Sequence, residues 1–148
     1  MKLNLGAGSV IRDGWVNVDI APLPGVDVVW DLDVAPWPWP DGAARAIEAK
    51  DIFEHLARPV QFMTEAHRVL RAGGQLHIRA PHWLSPDAWT DPTHRRAVTE
   101  HTWDFWIANG NPHYEANNAA YGGVEFDLCR RLVDRGAVDI TLRKPARP

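Results

Sequence analysis

An amphipathic helix between two strand-like runs is the feature that most limits how this chain can fold. Residues 59–72 begin with a proline suited to a first helical turn, and their apolar residues recur with helical spacing on one face. The run 43–49 precedes this helix, and the run 75–81 follows Gly73 and Gly74, which end the predicted helix as C-cap glycines do. A strand, a crossover helix and a second strand predict an α/β fold with a mostly parallel sheet.

Three shorter runs precede this unit and also predict strands, at residues 2–5, 15–20 and 26–32. The prolines of APWPWPDG then forbid regular structure. Only about eight residues, 7–14, separate the first two strands, whereas a parallel crossover normally needs a dozen or more. The sequence therefore predicts a reduced first crossover, with a turn or two of tight helix in place of a full one.

The remainder of the chain is less regular. Residues 81–123 lack clear periodicity apart from a short helix predicted over 98–107, and so long an irregular stretch usually has a functional reason. Residues 124–142 hold two apolar runs split by DRGA, which predict a C-terminal β-hairpin, with a helix over 125–134 as the alternative. We therefore expect one domain, residues 1–148, ending in this hairpin and a tail.

Composition narrows the class of protein. The formal net charge of −3 over 148 residues argues against a partner held by bulk electrostatics, such as a long nucleic acid. Cys129 is the only cysteine, so the sequence excludes an intrachain disulfide and a cysteine-based zinc site, and we expect a buried thiol. No apolar run approaches the ~18 residues that span a bilayer, and the chain starts on a strand without a basic, apolar leader. These features predict a cytoplasmic protein.

The first chemical signal is LNLGAGS at residues 3–9, where a strand ends in Gly6 and Gly8. A glycine pair alone fits a tight turn as well as a nucleotide site. The carboxyl edge of a parallel sheet is where open α/β sheets bind ligands, and Asp19 and Asp31 end the next two predicted strands. One carboxylate there can accept hydrogen bonds from ribose hydroxyls and the other can meet an adenine edge. The three positions together favour a nucleotide site.

The motifs LNLGAGS, GWVNVDI, DVVWDLD, IEAKDIFEHL and EAHRVLRAGGQLHIRAP follow one another over residues 3–81. In this order they resemble the small, type-11-like class I S-adenosylmethionine-dependent methyltransferases. The resemblance implies a Rossmann-like, three-layer α/β/α fold with S-adenosylmethionine lying across the strand ends. The short first crossover departs from the broad family, although a subgroup with the GW.NVD pattern shares it.

The resemblance also implies which residues hold the cofactor. The glycine loop would line its methionine and ribose parts, the second strand would end at the ribose, the third at the adenine, and the loop after the fourth would lie near the methionine end. The implied cofactor-binding residues are Gly6, Ala7, Gly8, Asp19, Ile20, Asp31, Leu32 and Asp51.

Residues 81–96, PHWLSPDAWTDPTHRR, begin where the predicted fifth strand ends. In methyltransferases of this class the insert after that strand commonly forms the substrate side of the pocket. A base helps to deprotonate an oxygen or nitrogen nucleophile, and histidine suits that task near neutral pH. We therefore expect His82 and His94 as catalytic bases, with Asp91 orienting one of them. The expected substrate-binding residues are Trp83, Asp87, Trp89 and Arg95.

Other interpretations of this segment stay open. Its prolines favour a rigid loop, and DPTH fits an Asx-type turn that caps a helix from about Thr93. Two histidines and two aspartates can also hold a divalent ion, although their spacing fits no standard motif, and we expect no metal. Glu54 and His55, after the fourth strand, face the same edge, either as site residues or through a structural hydrogen bond.

The sequence thus predicts a methyltransferase that transfers the methyl group of S-adenosylmethionine to an oxygen or nitrogen of a small or sugar-like substrate. Residues 3–81 would bind the cofactor, residues 82–123 the substrate, and residues 124–148 would form the hairpin and tail. Two alternatives are a methyltransferase-like binding domain without catalysis and a metal-assisted enzyme on the same fold. Exposed tryptophans can serve a homodimer as well as a pocket.

Overall fold

The computed structural model describes residues 1–108, 118–134 and 136–146. In this part of the chain seven strands form one sheet in the order β3-β2-β1-β4-β5-β7-β6. Their bounds are β1 (Lys2–Leu5), β2 (Val16–Asp19), β3 (Val28–Val29), β4 (Ala44–Lys50), β5 (Leu70–Pro81), β6 (Asp127–Val133) and β7 (Ala137–Arg143). Strands β1 to β5 pair in parallel, and β7 is antiparallel to both β5 and β6. The predicted α/β class with a mostly parallel sheet is confirmed.

The helix expected over residues 59–72 is present as α1 (Pro59–Val69), but it ends three residues early. The interpretation of Gly73 and Gly74 as C-cap glycines is wrong, because β5 starts at Leu70. Gly73 has a φ of +73° and donates its N–H to the Lys144 carbonyl at 3.0 Å. The glycines therefore form an irregularity inside the strand, where pairing with neighbouring strands outweighs the local helix-ending signal.

The predicted tight helix between β1 and β2 is also wrong, because residues 6–15 contain only turns and extended chain. Two buried amides hold this short connection in place of a helix. Asn4 Nδ2 donates to the Val10 carbonyl at 2.8 Å and to Asn17 Oδ1 at 3.0 Å. Asn17 Oδ1 also accepts the Arg12 N–H at 2.9 Å. Side-chain hydrogen bonds thus satisfy backbone groups that a helix would have paired internally.

The two faces of the sheet differ in chemistry. One face packs against α1 and an aromatic cluster, forming a continuous apolar core that includes Leu5, Ile47, Phe62, Leu76, Ile78, Trp103 and Ile140. Residues paired across the strands share a face, so the opposite face carries a polar row, which consists of Asn17, Asn4, Glu48, His77 and Thr141. Of the predicted three layers, the described residues provide the sheet and one helical layer, and the second face has no helix over it.

The C-terminal β-hairpin is confirmed as β6 and β7, so the alternative helix over 125–134 is wrong. Cys129 lies exposed on β6, contrary to the expected buried thiol.

The helix predicted over 98–107 is reduced to one 3-10 turn, Asp104–Trp106, and a second 3-10 turn spans Asn118–Tyr121. Residues 109–117 of the predicted substrate-side insert lie outside the described residues. Among those described, no helix is long and apolar enough to cross a membrane.

Candidate functional site

The carboxyl ends of the parallel strands meet at a cavity of about 390 Å³, here called the strand-end cavity. It is lined by Gly6, Asp19, Ile20, Trp30, Asp31, Leu32, Asp33, Asp51, Ile52, His55 and Leu56. Four of these residues are aspartates and none is lysine or arginine, while five are apolar. Apolar walls with a few convergent polar groups are typical of a small-molecule site, and this set favours a ligand that carries positive charge or hydroxyl donors.

Six of the eight sequence-predicted cofactor residues line this cavity, and Ala7 and Gly8 do not. Ala7 is buried and donates its N–H to the Val18 carbonyl at 2.9 Å. Gly8 donates its N–H to Asp19 Oδ2 at 2.8 Å, and the other oxygen of Asp19 accepts the Ala21 N–H at 2.9 Å. The backbone therefore fixes the orientation of the Asp19 carboxylate, whose remaining lone pairs can accept further hydrogen bonds.

The two glycines of the loop are needed for different reasons. Both have a positive φ, +67° at Gly6 and +51° at Gly8. A Cβ on Gly6 would lie 2.9 Å from the Ile52 side chain, whereas a Cβ on Gly8 would meet nothing within 4 Å. Gly6 thus allows the loop to approach Ile52, the residue that forms the neighbouring wall of the strand-end cavity.

A second cavity of about 590 Å³, the loop cavity, lies beside the first. It is lined by Asp51, Glu54, His55, Arg79, Pro81, Asp87, Thr90, Asp91, Pro92, His94 and Gly136. The two cavities share Asp51 and His55. Asp51 has a φ of +52°, and both of its carboxylate oxygens lie 2.6 Å from Arg79 Nη1. The boundary between the cavities is therefore formed by the loop that follows β4.

Hydrogen bonds fasten the segment 91–96 to that loop. Arg95 donates its N–H to the Glu54 carbonyl at 2.8 Å, and Arg96 Nη1 donates to the Phe53 carbonyl at 2.8 Å. Thr93 Oγ1 lies 2.9 Å from His55 Nδ1. Contacts from three successive residues of the loop thus set the position of the segment over the site.

The structure places the sequence-predicted catalytic and substrate residues unevenly. His94, Asp91 and Asp87 line the loop cavity. Arg95 and Trp89 line a smaller adjoining cavity of about 330 Å³ that also includes His94 and Asp91. His82 and Trp83 line neither: His82 is buried with Nε2 3.2 Å from Glu100 Oε2, and the Trp83 carbonyl accepts Trp89 Nε1–H at 2.7 Å.

The Asx-type turn predicted at DPTH is present, since Asp91 Oδ1 accepts the Thr93 N–H at 2.8 Å. The helix expected from about Thr93 is absent, and the short helix of this segment, α2 (Asp87–Thr90), precedes the turn. The turn therefore aims Thr93 at His55 rather than capping a helix.

Glu54 is the least satisfied polar group of the site. Its side chain is 2% exposed, and among the described residues neither carboxylate oxygen has a hydrogen-bond partner outside its own backbone. The nearest basic atom is His94 Nε2, 3.9 Å from Oε1. Burial raises the pKa of Glu54 to about 7. A structural hydrogen bond was one of the two interpretations of Glu54 and His55. The His55 side chain makes such a bond, to Thr93, and the Glu54 side chain does not.

Sequence reasoning missed four residues of the strand-end cavity, namely Trp30, Asp33, Ile52 and Leu56, and it placed His55 at this edge without assigning it to the cofactor. Asp33 accepts the N–H groups of Ala57 and Arg58 at 2.8 Å and so joins the loop after β3 to the start of α1. All of these residues follow the end of β3 or β4, and that placement in the loop after a strand was the available signal for this group.

Comparison with known proteins gives a family match over part of the chain. A methyltransferase-domain family model matches residues 18–78. An uncharacterized 37.1 kDa protein in transposon TN4556 of Streptomyces fradiae is 37% identical over 90 residues, which are 60% of this chain. The chain spans only 26% of that relative's length.

Solved structures agree on the fold. A SAM-dependent methyltransferase from Archaeoglobus fulgidus superposes with a TM-score of 0.67 at 16% identity, covering 97% of this chain and 85% of the other. The 1,6-didemethyltoxoflavin-N1-methyltransferase of Burkholderia thailandensis, solved with 1,6-didemethyltoxoflavin and S-adenosylhomocysteine, gives 0.60 at 15%, covering 97% and 70%. The chain therefore has the fold of the class I S-adenosylmethionine-dependent methyltransferases, as the sequence resemblance predicted. S-adenosylmethionine is the cofactor of that class.

Proposed function

We propose that this protein is an S-adenosylmethionine-dependent methyltransferase that binds its cofactor in the strand-end cavity and its acceptor in the loop cavity. The observation that carries the proposal is the boundary of Asp51 and His55 that the two cavities share. Methyl transfer needs the acceptor atom in line with the sulfonium methyl group, so the two binding spaces must meet. A methyl group at this boundary would be within reach of an acceptor in the loop cavity.

The charge of the strand-end cavity supports this choice of cofactor. S-adenosylmethionine carries a sulfonium and an ammonium group, and the cavity is lined by Asp19, Asp31, Asp33 and Asp51. Carboxylates attract such a ligand by Coulomb interaction, and Asp19 is the group placed to accept from the ribose hydroxyls. The apolar residues Trp30 and Leu32 supply walls for the adenine.

The loop cavity supports an acceptor with a protonated oxygen or nitrogen. Its size suits a small or sugar-like molecule, and Asp87, Thr90 and Asp91 offer hydrogen-bond acceptors for hydroxyl groups. His94 lines the cavity and is the base we favour, with His55 as the second candidate. His82 has no contact with either cavity, so the proposal assigns it no proton transfer.

Three further parts of the proposal concern the protein's surroundings. We place it in the cytoplasm, on its single cysteine and ordinary globular composition. The net charge of −3 favours a small-molecule substrate over a long nucleic acid. Trp83, Leu84 and Trp89 are 43%, 67% and 64% exposed, and this apolar group is where we expect a homodimer contact.

Calorimetric titration with S-adenosylmethionine and S-adenosylhomocysteine tests the cofactor assignment. We expect both to bind, and Asp19→Ala to weaken binding by about 10- to 100-fold, because hydrogen bonds to a charged group are lost. Asp13→Ala, a change at an exposed aspartate outside the cavity, is the matched control and should bind like wild type. Absence of binding at millimolar cofactor, or equal binding by Asp19→Ala, would rule out the proposed site.

A further inference from the structure

Three potential metal ligands come together where the loop after β4 meets the segment after α2. Glu54 and His55 belong to the loop and His94 to the segment, and one ligand atom of each lies within 4.8 Å of the others. Glu54 Oε1 and His94 Nε2 are 3.9 Å apart, and the rings of His55 and His94 meet edge to face with centroids 4.6 Å apart. This group differs from the set expected from the sequence, because His82 takes no part in it.

The buried carboxylate of Glu54 faces this group without a partner. Its side chain is 2% exposed, and no other residue of the described chain donates a hydrogen bond to either oxygen. A buried carboxylate is costly unless it is paired, hydrogen-bonded or bound to a metal. The carboxylate makes no hydrogen bond to another described residue here, and the nearest basic atom, His94 Nε2, is 3.9 Å away, so it is a group that a cation would stabilise.

Both histidines use Nδ1 in a hydrogen bond to the protein, which leaves Nε2 of each ring available to bind a metal. His94 Nδ1 lies 3.0 Å from the Ala88 carbonyl, which only accepts, so in the neutral ring Nδ1 carries the proton and Nε2 has the lone pair. The Thr93 hydroxyl lies 2.6 Å from Asp91 Oδ1 and donates to it, so it accepts from His55 Nδ1 at 2.9 Å. In the neutral ring of His55, Nε2 therefore also has the lone pair. A carbonyl behind His94, and a hydroxyl bonded to a carboxylate behind His55, resemble the outer hydrogen bonds that orient metal-binding histidines.

The donor set also has the right chemistry. Two imidazole nitrogens and one carboxylate oxygen are ligands for zinc and other divalent transition metals, and sites with three protein ligands keep a coordination position open. Ligand atoms around a tetrahedral metal lie about 3.5 Å apart when metal–ligand distances are about 2.0–2.2 Å. The three atoms already lie within 4.8 Å of one another, so small side-chain rotations would bring them to that spacing. All three residues line the loop cavity, so the open position would face it.

We propose that Glu54, His55 and His94 bind a divalent transition-metal cation at the wall of the loop cavity. The cation and a proton compete for the same imidazole nitrogens, so a loaded protein would not use these histidines as bases. A metal-bound acceptor hydroxyl would instead lose its proton more readily, because the cation lowers its pKa. That second role rests on the proposed methyltransferase function, whereas metal binding itself does not.

The test is a calorimetric titration of Zn²⁺ into untagged protein freed of metal by a chelator, repeated with Co²⁺ to follow its visible absorption. We expect one equivalent to bind with a Kd on the order of micromolar or tighter, and the Co²⁺ spectrum to show four- or five-coordination. His94→Ala and Glu54→Gln should each weaken Zn²⁺ binding at least tenfold. His101→Ala, at a histidine whose side chain is 67% exposed, controls for surface binding and should change nothing.

Thermal unfolding of each variant separates loss of a ligand from loss of the fold. Absence of stoichiometric binding, or wild-type affinity in folded His94→Ala and Glu54→Gln, would overturn the metal site. Such a result would leave the methyltransferase proposal standing if S-adenosylmethionine still binds. If Zn²⁺ binds but S-adenosylmethionine does not, the metal site stands and the methyltransferase proposal is ruled out.

Discussion

The carboxylate of Asp19 accepts the backbone N–H of Gly8 at 2.8 Å, and this contact ties the loop after β1 to the end of β2. The connection between these strands contains no helix, so side chains form the hydrogen bonds to its backbone that a helix would form internally. The residue expected to bind the ribose therefore also holds the loop that approaches the ligand. Binding and local folding share one carboxylate here.

The two loop glycines should respond differently to alanine. Gly8→Ala should cost about 1–2 kcal/mol of unfolding free energy, because an L-residue resists a φ of +51°. Gly6→Ala should cost a further 1–3 kcal/mol or so, because its new Cβ would press on Ile52 at 2.9 Å. Urea unfolding of the two variants measures the difference. Equal losses would show that the loop moves away from Ile52 without cost.

Histidine variants separate the base from its buried neighbour. In protein kept free of metal by a chelator, we expect His94→Ala to slow methyl transfer by about 10²- to 10⁴-fold, the usual contribution of a general base. His82→Ala should stay within a few-fold of wild type, because His82 bonds Glu100 away from both cavities. Formation of S-adenosylhomocysteine with a panel of small hydroxyl and amine acceptors gives the readout. A larger loss in folded His82→Ala would restore it as the base.

The unpaired carboxylate should lower the stability of the metal-free protein. At a pH above 7, where Glu54 is ionised, Glu54→Gln should raise the unfolding free energy by about 1–3 kcal/mol in the presence of a chelator, because a neutral amide costs less to bury than a carboxylate. Glu65→Gln is the matched comparison, since Glu65 is also buried but pairs with Arg68 at 2.7 Å. That change should destabilise by about 1–3 kcal/mol. Destabilisation by both would indicate an unrecognised partner for Glu54.

The hydroxyl of Thr93 should fix the tautomer of His55. Thr93→Val removes the acceptor for His55 Nδ1–H, so we expect a mixture of tautomers where wild type has one. Nitrogen-15 spectra of the imidazole rings report this directly. Thr90→Val removes a hydroxyl that donates to the carbonyl of Pro86, the residue before α2, and should leave the ring signals unchanged. A single unchanged tautomer in Thr93→Val would contradict the assignment.

His67 should make the fold less stable in mild acid. Burial, with a smaller effect from the charge of Lys144, lowers the pKa of His67 to about 4. Between pH 6.5 and about 4 the unfolded chain binds the proton and the folded chain does not, so stability falls as the pH falls through this window. The loss is at most about 3 kcal/mol, and partial exposure reduces it. His67→Gln should flatten the profile in urea unfolding; an unchanged slope would assign it to other groups.

The sequence predicted the position of a residue where that position depends on a single strand or turn. Asp19 and Asp31 could be placed because strand ends in a parallel sheet share an edge. The end of α1 could not, because the fate of Gly73 depends on its hydrogen bond to Lys144, 71 positions away. Contacts with residues distant in sequence also decide the roles of His82 and His94, so the sequence predicted both as catalytic bases. Only the packing of that loop on Glu54 and Phe53 separates a buried histidine from one that faces the cavity.

The apolar core lies on one face of the sheet, and this arrangement determines which parts of the molecule can unfold locally. In the described part of the chain α1 is the only helix longer than one turn or so, and its residues Phe62, Met63 and Ala66 are fully buried against that face. Detaching α1 would expose the apolar core that stabilises the sheet, so no smaller cooperative unit is left to open first. We expect the central amides of α1 to exchange hydrogen only as fast as the whole molecule unfolds. Amides of the loop 6–15 would exchange through local openings.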